Sequence, residues 1–480
     1  MAESIKPHAI MVEFLFQGHI NPFANLAIGL ASKGCTVTYV QTEFIHNQMS
    51  QASQNPGFLF STARGSGLDI RHKTISDGFP LDFDRDLNFD EFFSSIVRDF
   101  PTRVDELVGR IVRTERGRDT STFLVADAYY TWPPEVAVKY NLVYVSFWPS
   151  PAERLSVGHH LALLEEKGTP ITYDNYKDHI EEITEVVKSK NIGDVIKYSS
   201  PRDAPFCPEI LMETIMKAHL QVRKAHFILC NTVEELEPHT LSTLNQKQYL
   251  PTYAIGPTSL LSSTLAPVSS LIPEVDCLEW LSSKPPRSVL FIAFGSIAPV
   301  EKNVIREIAH GLATSGANFV WVLRPDMVIN EENDDVLPPG FEEEIVGRGL
   351  IVPWCDQRKV LASPAVGGFL THCGWSSILE SMWFGVPMLC YPILADQPNN
   401  RNMVVCDWKI GMNLCDEQEI SRREVEEKIK GLMRSGNEVR MEMKKVKELV
   451  HNALGQDGSS HANMNRFLSD LKKKMCMMEK

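Results

Sequence analysis

The residues most able to do chemistry follow a short apolar stretch at the point where a predicted strand meets a predicted helix. Residues 368–371 (GFLT) predict a buried strand, residues 372–374 (HCG) form the turn, and a helix opens directly after it. A glycine in such a turn lets a ligand approach the backbone, and the free N–H groups and dipole of a helix N-terminus attract phosphate. His372 and the hydroxyls of Ser376 and Ser377 add donors. The segment therefore predicts a phosphate site.

Four further side chains flank this turn. Glu380 lies one helical turn further on, where it could accept hydrogen bonds from ribose hydroxyls, and Trp354 follows a short strand and offers a flat face to a base. Asp396 and Gln397 come after another predicted strand. Each residue alone also fits a structural role: Glu380 has capping-box spacing to a serine, and a tryptophan is commonly a core residue. Only their combination predicts a ligand site.

A candidate general base lies near the N-terminus. His19 follows the predicted strand 9–16 within the turn 17–22 (QGHINP), and Asp127 follows the predicted strand 122–126. The free histidine side chain titrates near neutral pH, which suits a general base, and a carboxylate can orient its ring and stabilise the imidazolium. Taken alone, the two residues also fit a turn histidine and a helix-capping aspartate.

Alternating strands and helices must position these residues. Residues 9–16, 23–33 and 35–42 predict strand, helix and strand, which is a βαβ unit and implies a parallel sheet. Residues 251–287 are rich in Pro, Ser and Thr and predict an interdomain linker, after which the alternation restarts at the strand 288–294. The pattern predicts an α/β protein with two doubly wound Rossmann-like domains facing across a cleft.

Composition excludes several classes of protein. The 480 residues include 48 Lys and Arg and 61 Asp and Glu, which leaves a net charge of −13, and such an acidic chain is a poor general binder of nucleic acid. The 43% hydrophobic content is ordinary for a globular protein, and no stretch predicts a signal peptide or a membrane span. Ten cysteines without a C-x-x-C motif favour a reducing, cytoplasmic setting.

The segment 354–397 resembles the donor-binding signature of the plant secondary-product UDP-glycosyltransferases, in order and spacing and without a gap. The turn 17–22 and the stretch 277–288 (CLEWLSSKPPRS) also resemble that family, so the resemblance covers nearly the whole chain. It implies a GT-B fold. The domains implied are an N-terminal acceptor-binding domain (1–250), the linker (251–287), a C-terminal UDP-sugar-binding domain (288–455) and a C-terminal helix (456–480) packing back on the N-terminal domain.

The resemblance also implies a role for each residue of the signature. Trp354 would stack on uracil, with the backbone of Cys355 at the base edge and Gln357 near the ribose, whose hydroxyls Glu380 would hold. Around the diphosphate it places His372, Gly374, Trp375, Ser376, Ser377 and, from a second turn, Ser296. Asp396 and Gln397 would hold sugar hydroxyls, and Gln at that last position goes with glucose as the usual sugar.

The implied reaction is an inverting displacement in which His19, paired with Asp127, takes a proton from a hydroxyl or carboxyl of a small lipophilic acceptor. No metal ion or cofactor is implied, with UDP-glucose as co-substrate, and the acidic runs 82–86 and 334–335 are interpreted as solvated loops. The residues predicted to line the acceptor pocket, for which core packing is an equal alternative, are Phe16, Phe93, Phe147 and Trp148.

The chain departs from the family pattern at several signature positions. Cys355 and Asp356 stand where Ala-Pro is common, Ser363 where His is frequent and Tyr391 where Trp is frequent. Ser376 stands where Asn is usual, which predicts a weaker phosphate contact and lower activity. Two other functions therefore stay open: a UDP-sugar epimerase or hydrolase on the same scaffold, or a catalytically weak UDP-sugar-binding protein.

Overall fold

The computed structural model of the chain describes residues 6–53, 59–115, 120–169, 171, 175–186, 208–260, 270–296, 299–325, 327–328, 336–416, 419–434, 436 and 438–478. These residues group into two compact units. Unit 1 holds the described residues up to 186, those of 208–272 and those of 452–478, and unit 2 holds the described residues of 273–451.

Unit 1 is built on a seven-stranded sheet. Its strands are β1 (Lys6–Val12), β2 (Thr36–Thr42), β3 (Ile70–Ile75), β4 (Thr120–Asp127), β5 (Val143–Trp148), β6 (Phe227–Cys230) and β7 (Thr252–Ala254). Their order is β3-β2-β1-β4-β5-β6-β7, and each neighbouring pair is parallel. Since the order reverses between β1 and β4, the carboxyl ends of these two strands form the topological switch point, where α/β sheets bind ligands.

Helices cover both faces of this sheet. They are α1 (Gln17–Ser32), α2 (Glu43–Ser53), α3 (Ser61–Gly65), α4 (Phe89–Arg98), α5 (Phe100–Glu115), α6 (Pro133–Tyr140), α7 (Ala152–Glu166), α8 (Ile180–Val186), α9 (Glu209–Gln221) and α10 (Pro238–Gln246), with 3₁₀ turns at Tyr176–His179, Val222–Lys224 and Thr258–Leu260. Apolar residues of α1, α2 and α3 bury one face, and those of α4 to α7 and α10 bury the other. Because both faces of the sheet are buried, the sequences of its strands are nearly continuous apolar runs.

Unit 2 repeats the architecture with six parallel strands in the order β10-β9-β8-β11-β12-β13. The strands are β8 (Val289–Ala293), β9 (Asn318–Val322), β10 (Gly349–Val352), β11 (Val366–Thr371), β12 (Met388–Cys390) and β13 (Gly411–Asn413). The helices are α11 (Leu278–Ser282), α12 (Lys302–Ser315), α13 (Phe341–Glu344), α14 (Gln357–Ala362), α15 (Trp375–Phe384), α16 (Gln397–Asn402), α17 (Arg422–Met433) and α18 (Glu438–Leu454), with a π-helical turn at Met403–Asp407.

The end of the chain returns to unit 1 as α19 (Ser459–Met478). Phe467 packs against Phe227 and Tyr253 with ring centroids 5.7 and 5.8 Å apart, and Asn463 Nδ2 donates to the carbonyl of Ala254 at 3.0 Å. These contacts seat α19 on β6 and β7. Among the described residues, no helix combines the length and apolar character that a membrane crossing requires.

Several sequence-based boundaries are wrong. The predicted strand 9–16 corresponds to β1, which ends at Val12. The predicted turn 17–22 is the start of α1, because the backbone N–H groups of His19 and Ile20 already donate to the carbonyl of Phe16. Pro22 is accommodated inside the helix. The predicted linker 251–287 begins too early, because residues 252–254 form β7 and pair with β6, and the units divide between residues 272 and 273.

Candidate active site

The candidate base of unit 1 lies in the first turn of α1. His19 Nδ1 lies 2.9 Å from Oδ2 of Asp127, the last residue of β4, and the Asp127 side chain is fully buried. The second oxygen of Asp127 accepts a hydrogen bond from the backbone N–H of Tyr129 at 3.0 Å. A carboxylate fixed at both oxygens holds the imidazole with Nδ1–H donating, so that Nε2 is the nitrogen that can accept a proton.

Aromatic rings enclose the His19 imidazole. Ring centroids of Tyr129, Phe14 and Phe16 lie 4.7, 5.4 and 6.2 Å from that of His19, whose side chain keeps only 15% of its surface exposed. The environment is thus apolar on several sides and open at one edge. A base in such a setting suits an acceptor that presents a hydroxyl on an apolar body.

Most of the residues predicted to line an acceptor pocket are core residues instead. Phe93, Phe147 and Trp148 have no exposed surface, because they fill the space between the sheet and its helices. Phe147 contacts Phe23 of α1 with ring centroids 5.6 Å apart. Only Phe16 of the predicted set is partly exposed beside His19.

The predicted phosphate turn of unit 2 follows β11. His372 is held between two glycines: a Cβ on Gly295 or Gly374 would come within 2.5 or 2.4 Å of the His372 ring. Cys373 adopts a left-handed φ of 67°, which reverses the chain into α15. Burial lowers the pKa of His372 to about 4, so the ring is neutral, and its Nδ1 has no hydrogen-bond partner among the described residues. Only glycine at the two flanking positions leaves room for this ring.

The N-terminus of α15 is uncapped by side chains. Its N-cap is Gly374, which carries no side chain to accept from the first N–H groups, and Trp375 follows it as a buried residue. The capping box considered for Ser377 and Glu380 is absent, since Ser377 already lies within the helix at its third position. The first N–H groups of the helix are therefore directed to whatever lies beyond the turn, which is the geometry that binds phosphate.

Gln357, Ser377 and Glu380 form one hydrogen-bonded group. Nε2 of Gln357 donates to Oε2 of Glu380 at 2.7 Å and to Oγ of Ser377 at 3.0 Å. Burial raises the pKa of the Glu380 carboxyl. Gln357 is itself placed by Asp356, whose carboxylate accepts from the N–H groups of Arg358 and Lys359 and caps α14. The aspartate at position 356, where proline is common in the family, thus serves as the N-cap of α14.

Trp354 and Cys355 lie directly before this group. The carbonyl of Trp354 accepts from the backbone N–H of Val275 at 2.9 Å, which fixes the start of the segment. Trp354 is partly exposed, whereas Cys355 is buried and its thiol hydrogen-bonds with that of Cys277. Exposed indole and buried thiol fit a ligand contact made by the ring of the first and the backbone of the second.

Asp396 and Gln397 stand at the start of α16. Gln397 Oε1 accepts from the N–H groups of Ile393 and Leu394, both at 2.9 Å, so its oxygen is used to hold the loop. Asp396 Oδ2 accepts from Nδ2 of Asn400 at 3.0 Å, and the same Nδ2 lies 3.0 Å from the carbonyl of Cys373. Asn400 therefore ties Asp396 to the phosphate turn.

Comparison with known proteins decides the family. The sequence model described as UDP-glucoronosyl and UDP-glucosyl transferase matches residues 274–449. UDP-glycosyltransferase 86A1 of Arabidopsis thaliana is 46% identical over 479 residues, covering 99% of this chain and 96% of that protein. The chain belongs to the UDP-glycosyltransferase family. The predicted resemblance is confirmed.

Solved structures of plant UDP-glycosyltransferases share its fold. Os79 of O. sativa in complex with UDP superposes with a TM-score of 0.82 at 25% identity, covering 96% of this chain and all of that one. Medicago truncatula UGT71G1 complexed with UDP-glucose gives 0.79 at 26% identity, covering 98% and 99%. The predicted α/β fold class, with two Rossmann-like domains of the GT-B type, is confirmed.

Two buried residues of this UDP-glycosyltransferase contact residues of the candidate site but were not identified from the sequence. Arg324, which is 3% exposed, donates to the carbonyl of Ser296, next to the glycine that packs on His372. Asn400 is 1% exposed and positions Asp396. Arg324 lies two residues after the end of β9 (Asn318–Val322), and position after a strand end was the signal that could have found it.

The acidic runs are structural where they are described. Oδ1 of Asp84 accepts from the backbone N–H groups of Asp86 and Leu87, which closes a turn. Arg85 forms a buried ion pair with Asp77 at 2.8 Å. The pair 334–335 lies outside the described residues.

Proposed function

We propose that this UDP-glycosyltransferase transfers glucose from UDP-glucose to a hydroxyl or carboxyl of a small lipophilic acceptor, with inversion at the anomeric carbon and His19 as general base. The observation that carries the proposal is the 2.9 Å pairing of His19 Nδ1 with the buried Asp127. It leaves Nε2 as an acceptor within an aromatic setting.

The proposed step moves one proton and exchanges one bond. The acceptor O–H gives its proton to Nε2 of His19 while its oxygen forms a bond to the anomeric carbon. The bond from that carbon to the diphosphate oxygen breaks, and UDP leaves with the electron pair. Asp127 stabilises the imidazolium that forms, which is the contribution of a charged partner in general acid–base catalysis.

The leaving diphosphate would be bound by fixed donors of unit 2. The uncapped N-terminus of α15, His372 and the hydroxyls of Ser376 and Ser377 supply them. Preorganised donors of this kind stabilise charge that develops during a reaction. We therefore propose that the reaction needs neither a metal ion nor a cofactor beyond UDP-glucose.

The sugar and base contacts are proposed residue by residue. Trp354 would stack on uracil beside the Cys355 backbone, Gln357 and Glu380 would hold the ribose, and Asp396 and Gln397 the glucose hydroxyls. Support comes from the hydrogen-bonded group at Glu380 and from the UDP-glucose bound by UGT71G1. The Gln397 amide oxygen is engaged with the loop, so its Nε2 is the group offered to a sugar.

A cytoplasmic location is proposed from the cysteines. The nine cysteines within the described residues are all free thiols, and six of them are buried. Free thiols persist in a reducing compartment.

The function is tested by a mass-spectrometric screen of phenols, terpenoid alcohols and aromatic acids, with UDP-glucose, UDP-galactose, UDP-xylose and UDP-glucuronate as donors and with or without EDTA. We expect a hexosyl product with UDP-glucose in the presence of EDTA. NMR of the purified product should show a β-linked sugar, because the donor is α-linked. Free glucose without any conjugate would favour hydrolysis, and an α-linked product would contradict inversion.

A further inference from the structure

A row of three buried polar side chains crosses the sheet of unit 1 at the carboxyl end of its central strands. They are Gln41, Glu13 and Asp127. The register aligns Val12 of β1 with Val40 of β2 and with Ala126 of β4, and each member of the row is the next residue along the chain, with Glu13 directly after the end of β1. Because the strands are parallel neighbours, the three residues lie side by side.

The row faces α1. Side chains alternate along a strand, and the residues two positions earlier, Met11, Tyr39 and Val125, all belong to the apolar core on the α1 side. Gln41, Glu13 and Asp127 are 1%, 2% and 0% exposed. Two carboxyl groups therefore lie next to each other out of water, beneath the helix that carries His19.

The contacts of Glu13 account for only one of its carboxyl oxygens. The hydroxyl of Tyr39 donates to Oε2, and the hydroxyl of Tyr130 donates to the main-chain carbonyl at 2.8 Å. The Gln41 side chain is in hydrogen-bonding contact with the carboxyl, which acts to lower the pKa of Glu13, and its Nε2 also donates to Sδ of Met49 at 3.2 Å. Oε1 of Glu13 and Oε1 of Gln41 both lack a hydrogen-bond partner among the described residues.

A single proton resolves this arrangement. A proton on Oε1 of Glu13 would turn this buried atom into a donor, and the neighbouring Gln41 side chain offers an oxygen that has no partner among the described residues. Asp127 is the carboxyl that stays charged, since it receives hydrogen bonds from His19 and from the N–H of Tyr129. Two neighbouring buried carboxyls do not ionise together.

The titratable groups around Glu13 agree with a protonated carboxyl. Tyr39 on β2, Tyr130 after β4 and Asp127 on β4 face it, and His19 lies beyond Asp127. Burial, with a contribution from the Asp127 charge, raises the pKa of Glu13 to about 8, and burial raises the pKa values of Tyr39 and Tyr130 well above their usual range. Of the three groups Glu13, Tyr39 and Tyr130, Glu13 is thus the one whose pKa lies in the mildly alkaline range.

We propose that Glu13 is a positioning residue for the base: it remains protonated while the enzyme works, donates to Gln41, and leaves Asp127 as the single negative charge of the row. Loss of its proton would set two anions side by side and disturb the His19–Asp127 pair. The inference rests on the proposed role of His19. It identifies Glu13 as the residue whose deprotonation sets the upper pH limit for catalysis by His19.

The test is the pH dependence of kcat for the wild type and Glu13→Gln. With a pKa of about 8, the protonated fraction of Glu13 falls about tenfold between pH 7 and pH 9, and the wild-type kcat should fall with it. The glutamine amide donates to Gln41 and accepts from Tyr39 but cannot ionise, so the variant should lose this fall. An equal fall in both proteins would overturn the proposal.

A matched control and a second readout separate this role from a structural one. Glu237 is another fully buried carboxyl of unit 1 with a pKa raised by burial, but its oxygens accept from Ala152, Glu153 and Thr232 outside the row. Glu237→Gln should therefore keep the wild-type alkaline fall. Infrared difference spectra between pH 7 and pH 9 should show a carboxylic-acid band that is weaker in Glu13→Gln than in the wild type, and a band of equal intensity in both proteins would refute a protonated Glu13 even if the variant were inactive.

A parallel assay of His19→Ala distinguishes the two proposals. If His19→Ala transferred sugar at the wild-type rate, the proposed function itself would fail. If His19→Ala were inactive while Glu13→Gln followed the wild-type pH profile, only the role of Glu13 would be wrong.

Discussion

The two candidate sites of this protein are built in opposite ways. The base of unit 1 joins His19 on α1 to Asp127 on β4, residues 108 positions apart, whereas the donor-site residues of unit 2 other than Ser296 fall between positions 354 and 397. The first depends on strand order and the second on local turns. A contiguous site can be recognised as a pattern in sequence, whereas for a site assembled by the sheet the sequence only offers residues at strand ends, and the coordinates show which of them meet.

Their electrostatics are also opposite. Unit 1 buries the acidic side chain of Asp127 and pairs it with the His19 imidazole. Unit 2 offers the N-terminus of α15 and a neutral His372, with Arg324 beside the neighbouring turn, to an incoming anion. We propose that the first site takes up a proton and that the second binds the departing phosphate, so substitutions should separate turnover from donor binding.

The largest effect is expected for His19→Ala, which tests whether turnover resides in unit 1. Loss of a general base lowers kcat by about 10²–10⁴-fold, while the calorimetric Kd for UDP should not change because UDP binding is assigned to unit 2. His239→Ala, an exposed histidine of the same unit, is the control. Wild-type turnover by His19→Ala would contradict the assignment of His19 as the general base.

The substitution Asp127→Asn tests whether catalysis needs the charge of the Asp127 side chain or only its shape. The amide is isosteric, but it cannot accept from both His19 and Tyr129 through two anionic oxygens, so kcat should fall about 10²-fold. Steady-state kinetics at saturating donor measures the loss. Asp99→Asn, at an exposed ion pair, should behave as wild type, and an unaltered kcat in Asp127→Asn would mean that the ring is oriented by other contacts.

Glu380→Gln should act on the donor rather than on turnover. Replacing a carboxylate acceptor by an amide removes one charge-assisted hydrogen bond, which is about 1.5–3 kcal/mol, and should raise the KM for UDP-glucose at least about tenfold. The exposed Glu344→Gln serves as the control. A fall in kcat with an unchanged KM would contradict the division between the two sites.

Of these four substitutions, Ser376→Asn should change the kinetic constants least, and it is the one expected to improve them. Asparagine reaches further than serine and carries two donors, so the donor KM should fall or the turnover rise by about threefold, less than the effect of a whole lost donor. Donor-saturation kinetics of the purified variant measures both constants. If neither the donor KM nor the turnover changed, Ser376 would not weaken the predicted phosphate site.

Much of the secondary structure could be predicted because each sheet is buried on both faces. The predicted strands 288–294 and 368–371 correspond to β8 (Val289–Ala293) and β11 (Val366–Thr371). The start of α1 was missed because proline is disfavoured inside helices, yet α1 contains Pro22 as its sixth residue. Residues 252–254 were missed because a short edge strand carries too few residues to show a pattern.

The amino-acid sequence alone determined the alternation of elements, the phosphate turn and the family signature, because these depend on local propensities and on residues close together along the chain. Only the tertiary structure decided that Phe93, Phe147 and Trp148 are core, that Asn400 holds Asp396, and that Glu13 lies beside Asp127. These outcomes follow from register and side-chain packing between distant segments, which a linear pattern does not encode.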